Sequence, residues 1–334
     1  MQAPAAPMHC TRVMSNLKHP RRSALRAAAT AAAAGGLTVA GDATARARAA
    51  SRVTPTFVTV SGAGGMPGGI DQLALRGHRT VGVSLPGHSV TDPQFALDYQ
   101  CPQQPESLAT RPSPMAGIGL DEFTAATVEV VRRVAEFGPV ILYGGSMGGA
   151  TLDRVGNTVP HLIARIVYDT AFCCVDLASA DDYLATPEGE NSLAGNLAAV
   201  IVADPAEIGA VRSNYRTADP DALAGLRQAL MAGATDAEFH ATLAALHPDE
   251  SATASGENSQ VRAHTWGRIP RTYIRHTRDR IIPIELQDRM IAEADRLTPH
   301  NRFDVHTVDA PHVPNAEQFG RIVDILDQLT QCLR

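Results

Sequence analysis

Ser146 stands among four glycines in the run Gly144-Gly145-Ser146-Met147-Gly148-Gly149, directly after the apolar stretch Val140-Ile141-Leu142-Tyr143. Glycine loses more backbone freedom on folding than any other residue, so a chain concentrates it where the backbone turns sharply or passes close to other atoms. Residues 144–148 fit Gly-x-Ser-x-Gly, and the setting fits the mechanics of that pattern, a buried strand before the turn and a helix after it. A serine held on such a turn is a candidate nucleophile for acyl transfer, with Gly144 and Gly148 making space for the turn. The plain alternative is a glycine-rich turn with an incidental serine.

An alcohol is a weak nucleophile at neutral pH. It needs a base within hydrogen-bond reach and an acid that orients the base. After a strand–turn–helix device of this kind the acid and then the histidine are expected, each just past a later strand. Asp279, in Arg278-Asp279-Arg280-Ile281-Ile282-Pro283, fills the acid slot, and His312, in Ala310-Pro311-His312-Val313-Pro314, fills the base slot. Asp169 also closes a strand-like run and is the alternative acid. His276 and His306 fall within strands, and His88 sits in a turn before the serine. Core or solvated roles suit them, as they suit His264, while Asp304 and Asp309 read as surface or capping carboxylates.

The elements that must position these groups alternate along the chain. β-rich runs at 56–62, 78–88, 139–144, 162–172, 271–277 and 302–309 are separated by helical patterns, among them 119–138, where Asp121 is expected to cap a helix whose apolar stripe is Phe123, Val128, Val131 and Val134. Such alternation implies right-handed βαβ units and a doubly wound parallel sheet. A Pro- and Gln-rich loop is expected at 91–118. Residues 175–268 break the rhythm: helix-like segments punctuated by Asp and Pro, and no strand of comparable strength, predict a helical insertion over the sheet.

With these residues in place, the chain from about 55 onward resembles the α/β-hydrolase superfamily. "RIPRTYIRHTRDRIIPIELQDRMI" and "APHVPNAEQF" are similar to the branch of plant methylesterases and hydroxynitrile lyases. The resemblance implies an α/β-hydrolase fold with a mainly parallel sheet of about six strands flanked by helices, and a helical cap after the fourth strand. It divides the chain into core (48–170), cap (171–268) and core again (269–334). It carries the nucleophile onto Ser146, the acid onto Asp279, the base onto His312, and the oxyanion donors onto the backbone N–H groups of Ala63 and Met147. Two positions depart from the branch. Ser61-Gly62 replaces the usual His-Gly after the first strand, where the histidine buttresses the oxyanion loop, and Ser84 replaces an Asp before Leu-Pro-Gly-His. Gly62 and Val313 stand where the lyases have threonine and lysine, which favours ester hydrolysis over cyanohydrin cleavage. A serine in the elbow also separates the chain from dehalogenases and epoxide hydrolases, which need an aspartate there.

Residues 1–47 read as an address, not a fold. Arg21-Arg22 precedes a weakly hydrophobic Ala/Gly run, and "ATARA" offers small residues for signal-peptidase cleavage, a pattern similar to a twin-arginine export signal and too weak for a stable membrane span. Without these residues 23 basic and 34 acidic side chains remain, a net charge of −11, which disfavours nucleic acid and anionic membranes as partners. Of five cysteines (Cys10, Cys101, Cys173, Cys174, Cys332) four would survive cleavage, in a compartment that permits disulfides; their pairing is not readable, and no zinc spacing occurs. No cofactor and no metal are expected. The leading expectation is a secreted serine hydrolase acting on a small to medium hydrophobic ester, lactone or thioester. A lyase or an acyltransferase or cyclase using the same three residues, and a non-catalytic binding protein of this fold, are the alternatives.

Overall fold

The structure, a computed structural model, describes residues 54–88 and 93–333. The export signal expected over 1–47 and Cys10 lie outside them. The strands are β1 (Thr56–Val60), β2 (Arg79–Gly82), β3 (Val140–Ser146), β4 (Ile163–Ala171), β5 (Ala210–Arg212), β6 (Asp249–Ser251), β7 (Arg271–His276) and β8 (Asp304–Val308). The helices are α1 (Asp71–Leu75), α2 (Pro105–Thr110), α3 (Leu120–Ala135), α4 (Gly148–Thr158), α5 (Ala180–Leu184), α6 (Pro205–Ile208), α7 (Pro220–Leu230), α8 (Asp236–Ala245), α9 (Ile284–Leu297) and α10 (Ala316–Leu329). Six strands form one parallel sheet in the order β2-β1-β3-β4-β7-β8.

Strand β3 shows why this sequence makes a covered sheet. Val140 and Leu142 face one apolar cluster, with Leu152 and Val155 of α4 and Val131 of α3; Ile141 faces the other, with Leu73 of α1 and Ile322, Val323 and Leu326 of α10. Both faces are covered by apolar side chains, in keeping with a strand that is continuously apolar rather than alternating. Strand β4 repeats the arrangement, with Ile166 and Tyr168 on one side and Val167 on the other.

Strand order fixes where a ligand can sit. The chain leaves β1 for β2 on one side and then crosses to β3 on the other, so the loops after β1 and β3 diverge and leave a crevice at their carboxyl ends. Ser61–Gly65 follows β1, and Ser146 ends β3.

Between β4 and β7 the chain departs from the alternating pattern. The insertion is not purely helical as the sequence suggests, because β5 and β6 pair antiparallel within it. Each is three residues long, too short to register as a period-2 pattern. Their pairing is fastened by a fully buried ion pair: Arg212 Nε donates to Asp249 Oδ1 and Nη2 to Oδ2, each at 2.7 Å. Ser113 Oγ donates to the same carboxylate at 2.6 Å, and Arg212 Nη1 donates to the Leu108 and Arg111 carbonyls. Those contacts dock the insertion onto the segment at α2, which itself is helical where a plain loop was expected.

A smaller correction concerns α3. Asp121 lies in its first turn and pairs with Arg154; Gly119 occupies the cap position, and the Glu122 carboxylate accepts the Gly119 N–H at 2.9 Å. Cys101, Cys173 and Cys174 are free thiols, the latter two buried.

Candidate active site

Ser146 is built by the end of β3. Its φ of 52° is left-handed, a conformation that L-residues mostly avoid, and the β3–β4 register shifts between Gly145 and Ser146. Backbone crowds the turn on both sides, and only glycine leaves room for it. A Cβ on Gly148 would lie 2.8 Å from the Ser61 carbonyl oxygen, and one on Gly149 would lie 1.9 Å from that of Phe172. Gly144 is tight as well, with Leu152 and the Val60 carbonyl oxygen 3.2 Å from a Cβ there. Helix α4 starts at Gly148, so its N-terminal N–H groups point toward the turn.

The two expected partners arrive at this serine from the far half of the chain. His312 Nε2 lies 3.0 Å from Ser146 Oγ, and His312 Nδ1 lies 2.7 Å from Asp279 Oδ2. The carboxylate faces Nδ1, which places a proton there and leaves Nε2 free to accept from the hydroxyl. Asp279 follows β7 and is 6% exposed; its Oδ1 accepts the N–H groups of Ile281 and Ile282 at 2.7 and 2.9 Å. Burial pushes this carboxyl up, but His312, the Thr170 hydroxyl and the Ile282 N–H outweigh it and hold it below its usual range. Sequence reasoning missed Thr170, which donates to Asp279 Oδ2. Its φ of 39° makes it the other non-glycine residue in the left-handed region among those described. The available signal was its place beside Asp169 at the end of a strand.

Ala63 and Met147 both line the cavity around the serine. The Gly62 carbonyl accepts from Gly65 N–H at 3.0 Å, which closes a tight turn around Ala63. Gly62 itself must lack a side chain, since a Cβ there would sit 2.8 Å from Ser146 Cβ. Ser61 Oγ is buried and finds no partner among the described residues, so the hydroxyl does not take over the buttressing expected of a histidine. The loop is held from the insertion instead: Glu250 Oε2 accepts the Gly64 N–H at 2.7 Å, and the Gly64 carbonyl accepts the His247 N–H at 2.7 Å. His88 Nε2 lies 3.1 Å from that same Glu250 oxygen.

Asp169, the alternative acid, points elsewhere. It accepts the Tyr143 hydroxyl on Oδ2 and lies 2.9 Å from His276 Nε2 through Oδ1. His276 Nδ1 in turn lies 2.9 Å from the carbonyl oxygen of Pro311, the residue before His312. Burial would lower the His276 pKa, but the Asp169 carboxylate and the Pro311 carbonyl raise it above its ordinary value. A second buried acid–histidine pair thus braces the His312 loop from behind. His306 stays on the surface of β8 beside Asp304.

Two adjoining chambers share Gly62, Ala63 and Met147 in their walls. An inner one of ≈190 Å³ is walled by Leu85, Leu120, Phe123 and Val211, with His88 and Glu250 at its polar end. An outer one of ≈460 Å³ contains Ser146 and His312 and is closed by Leu184, Leu197, Leu230 and Leu246 of the insertion. Such an arrangement can bind an apolar carbonyl compound with its reacting carbon against an activated hydroxyl.

The sequence pattern described as "Alpha/beta hydrolase family" matches residues 57–325. The chain belongs to this family. Solved structures share the alpha/beta hydrolase fold at low identity. A pyrethroid hydrolase from Sphingobium faniae JZ-2 superposes with a TM-score of 0.59 at 18% identity, covering 83% of this chain and 98% of that one. An extracellular alpha/beta-hydrolase from a Paenibacillus species gives 0.54 at 18%, covering 81% and 97%. Polyneuridine aldehyde esterase gives 0.54 at 16%, covering 83% and 99%. No curated protein matches this alpha/beta hydrolase in sequence.

Proposed function

We propose that the chain is a serine hydrolase that cleaves a carboxylic ester, lactone or thioester of a small to medium hydrophobic substrate through an acyl-enzyme. The observation that carries this reading is the hydrogen-bonded line from Ser146 Oγ through His312 to Asp279, begun at a strained serine that faces an apolar cavity. Ser146 attacks the carbonyl carbon while His312 Nε2 takes its proton. The N–H groups of Ala63 and Met147 stabilise the oxyanion, and His312 returns the proton to the leaving group. Water, deprotonated by the same imidazole, then releases the acid. Asp279 holds the imidazole and stabilises its charged form.

In this reading the insertion is a cap, and its leucines with Phe123 select apolar groups on either side of the carbonyl. The hydrolase and esterase of similar fold add support to hydrolysis as the reaction class. Export through a twin-arginine route completes the proposal, motivated by Arg21-Arg22 and the "ATARA" segment; a mature N-terminus near residue 47 on protein recovered outside the cell tests it.

A fluorophosphonate probe tests the chemistry. Stoichiometric labelling at Ser146 is expected, and absence of labelling in folded protein would favour the binding-protein alternative. Product analysis with and without added alcohol or amine separates hydrolysis from acyl transfer.

A further inference from the structure

The 61–65 loop has little means of holding itself. Three of its five residues are glycines, Gly64 adopts a φ of 66°, Ala63 is exposed, and the Ser61 hydroxyl has no partner among the described residues. Loops of this composition sample many conformations unless they are tied down. Two peptide planes set the position of Ala63. The Gly62–Ala63 plane carries the Ala63 N–H and is fixed at its other side by the Gly65 N–H on the Gly62 carbonyl. The following Ala63–Gly64 plane is fixed by the Gly64 N–H on Glu250 Oε2 at 2.7 Å. We propose that Glu250, brought from the insertion on β6, is a positioning residue that fixes the oxyanion loop.

The carboxylate is well prepared for that task. Its Oε1 accepts the Ser251 N–H at 2.7 Å, His88 Nε2 meets Oε2 at 3.1 Å, and the neighbouring Asp249 is locked by Arg212. A charged acceptor makes the stronger hydrogen bond to a backbone N–H. Its negative charge works against an oxyanion nearby, so two effects of opposite sign compete at this residue. The Gly64 and Ser251 N–H groups donate to the carboxylate, with His88 Nε2 3.1 Å away, and spread that charge, so the geometric effect is expected to dominate.

The proposal rests on the hydrolase reading, and the experiment separates the two. Wild type, Glu250→Ala and Glu250→Gln are compared for turnover of p-nitrophenyl esters, for the rate of fluorophosphonate labelling of Ser146, and for thermal unfolding. Glu250→Ala is expected to lower both kcat and labelling rate by about 10- to 100-fold with KM nearly unchanged, the scale of a misplaced reacting group. Glu250→Gln keeps one acceptor, which can face the Gly64 N–H only by turning its NH2 toward the Ser251 N–H, and is expected to restore part of the loss. If Glu250→Ala does not fold, Glu250→Met, which fills the same space without an acceptor, is read in its place. A labelled wild type with an equally fast alanine variant overturns the assignment alone, as does a change confined to KM or a Gln variant as slow as Ala. An unlabelled wild type overturns the hydrolase reading and the assignment with it.

Discussion

Thr170 donates its hydroxyl hydrogen to Asp279 Oδ2, the same oxygen that His312 Nδ1 faces at 2.7 Å. With the Ile281 and Ile282 N–H groups on Oδ1, every donor the carboxylate can reach comes from a different part of the sequence than its histidine. Thr170→Val keeps the shape and removes the donor. The Asp279 carboxyl then rises from its lowered value and orients the imidazole less firmly, so kcat at neutral pH falls roughly fivefold, the worth of one ordinary hydrogen bond. The sign for stability follows the same shift. A depressed carboxyl stabilises the fold above its unfolded value of 3.8, and the contribution disappears as pH falls through the folded value. Urea unfolding as pH is taken from neutral to below 3.8 should show a smaller acid loss for the valine variant.

Ser146→Ala should lower kcat by about 10³- to 10⁶-fold and abolish the acyl-enzyme burst while leaving ester binding intact, the last checked by inhibitor titration. Ser146→Gly makes the same chemical deletion but relieves the left-handed φ of 52°. Its unfolding midpoint should therefore exceed that of the alanine variant, by about 2–4 °C if strain of ~1 kcal/mol is released.

The Asp169–His276 pair predicts a pH dependence of opposite sign. A histidine whose pKa is raised in the fold stabilises the protein below its unfolded value of 6.5, and that contribution is lost as pH rises through the folded value. His276→Gln, which does not titrate, should lose the part of the stability difference between slightly acidic and alkaline buffer that the imidazole supplies. Equal pH slopes for the two proteins in urea titrations would remove His276 from the account.

Ala254 lines the inner chamber and is buried. Ala254→Phe should fill much of the ≈190 Å³, and the ratio of kcat/KM for a long over a short acyl or alkyl chain should drop by about 10- to 100-fold. A series of p-nitrophenyl esters of rising chain length, with the reversed series of alkyl esters, reads which side of the carbonyl enters that chamber.

The six sheet strands, the elbow at Ser146 and the order of Asp279 and His312 were legible because they depend on local signals: continuous apolar runs, glycine at fixed offsets, and residues just past a strand. Thr170, Glu250 and the Asp169–His276 pair were not. Each acts through a contact between segments more than a hundred residues apart, and a threonine or glutamate carries no local mark of its distant partner. The pair β5–β6 was hidden for another reason. Three-residue strands are held by the buried Arg212–Asp249 pair rather than by a pattern of their own. Asp121 was misread as a cap since Gly119, two positions earlier, can start the helix with Glu122 bonding back to it.

Both backbone groups of Gly64 are taken by the insertion, the N–H by Glu250 and the carbonyl by His247. Engineering by exchange of lids treats substrate choice and chemical rate as separate modules that can be swapped one at a time. If the insertion serves as the proposed lid, this chain does not divide along that seam: a transplanted insertion lacking an acceptor and a donor at those two points would bring a new pocket and slacken the loop beside Ser146 in the same step.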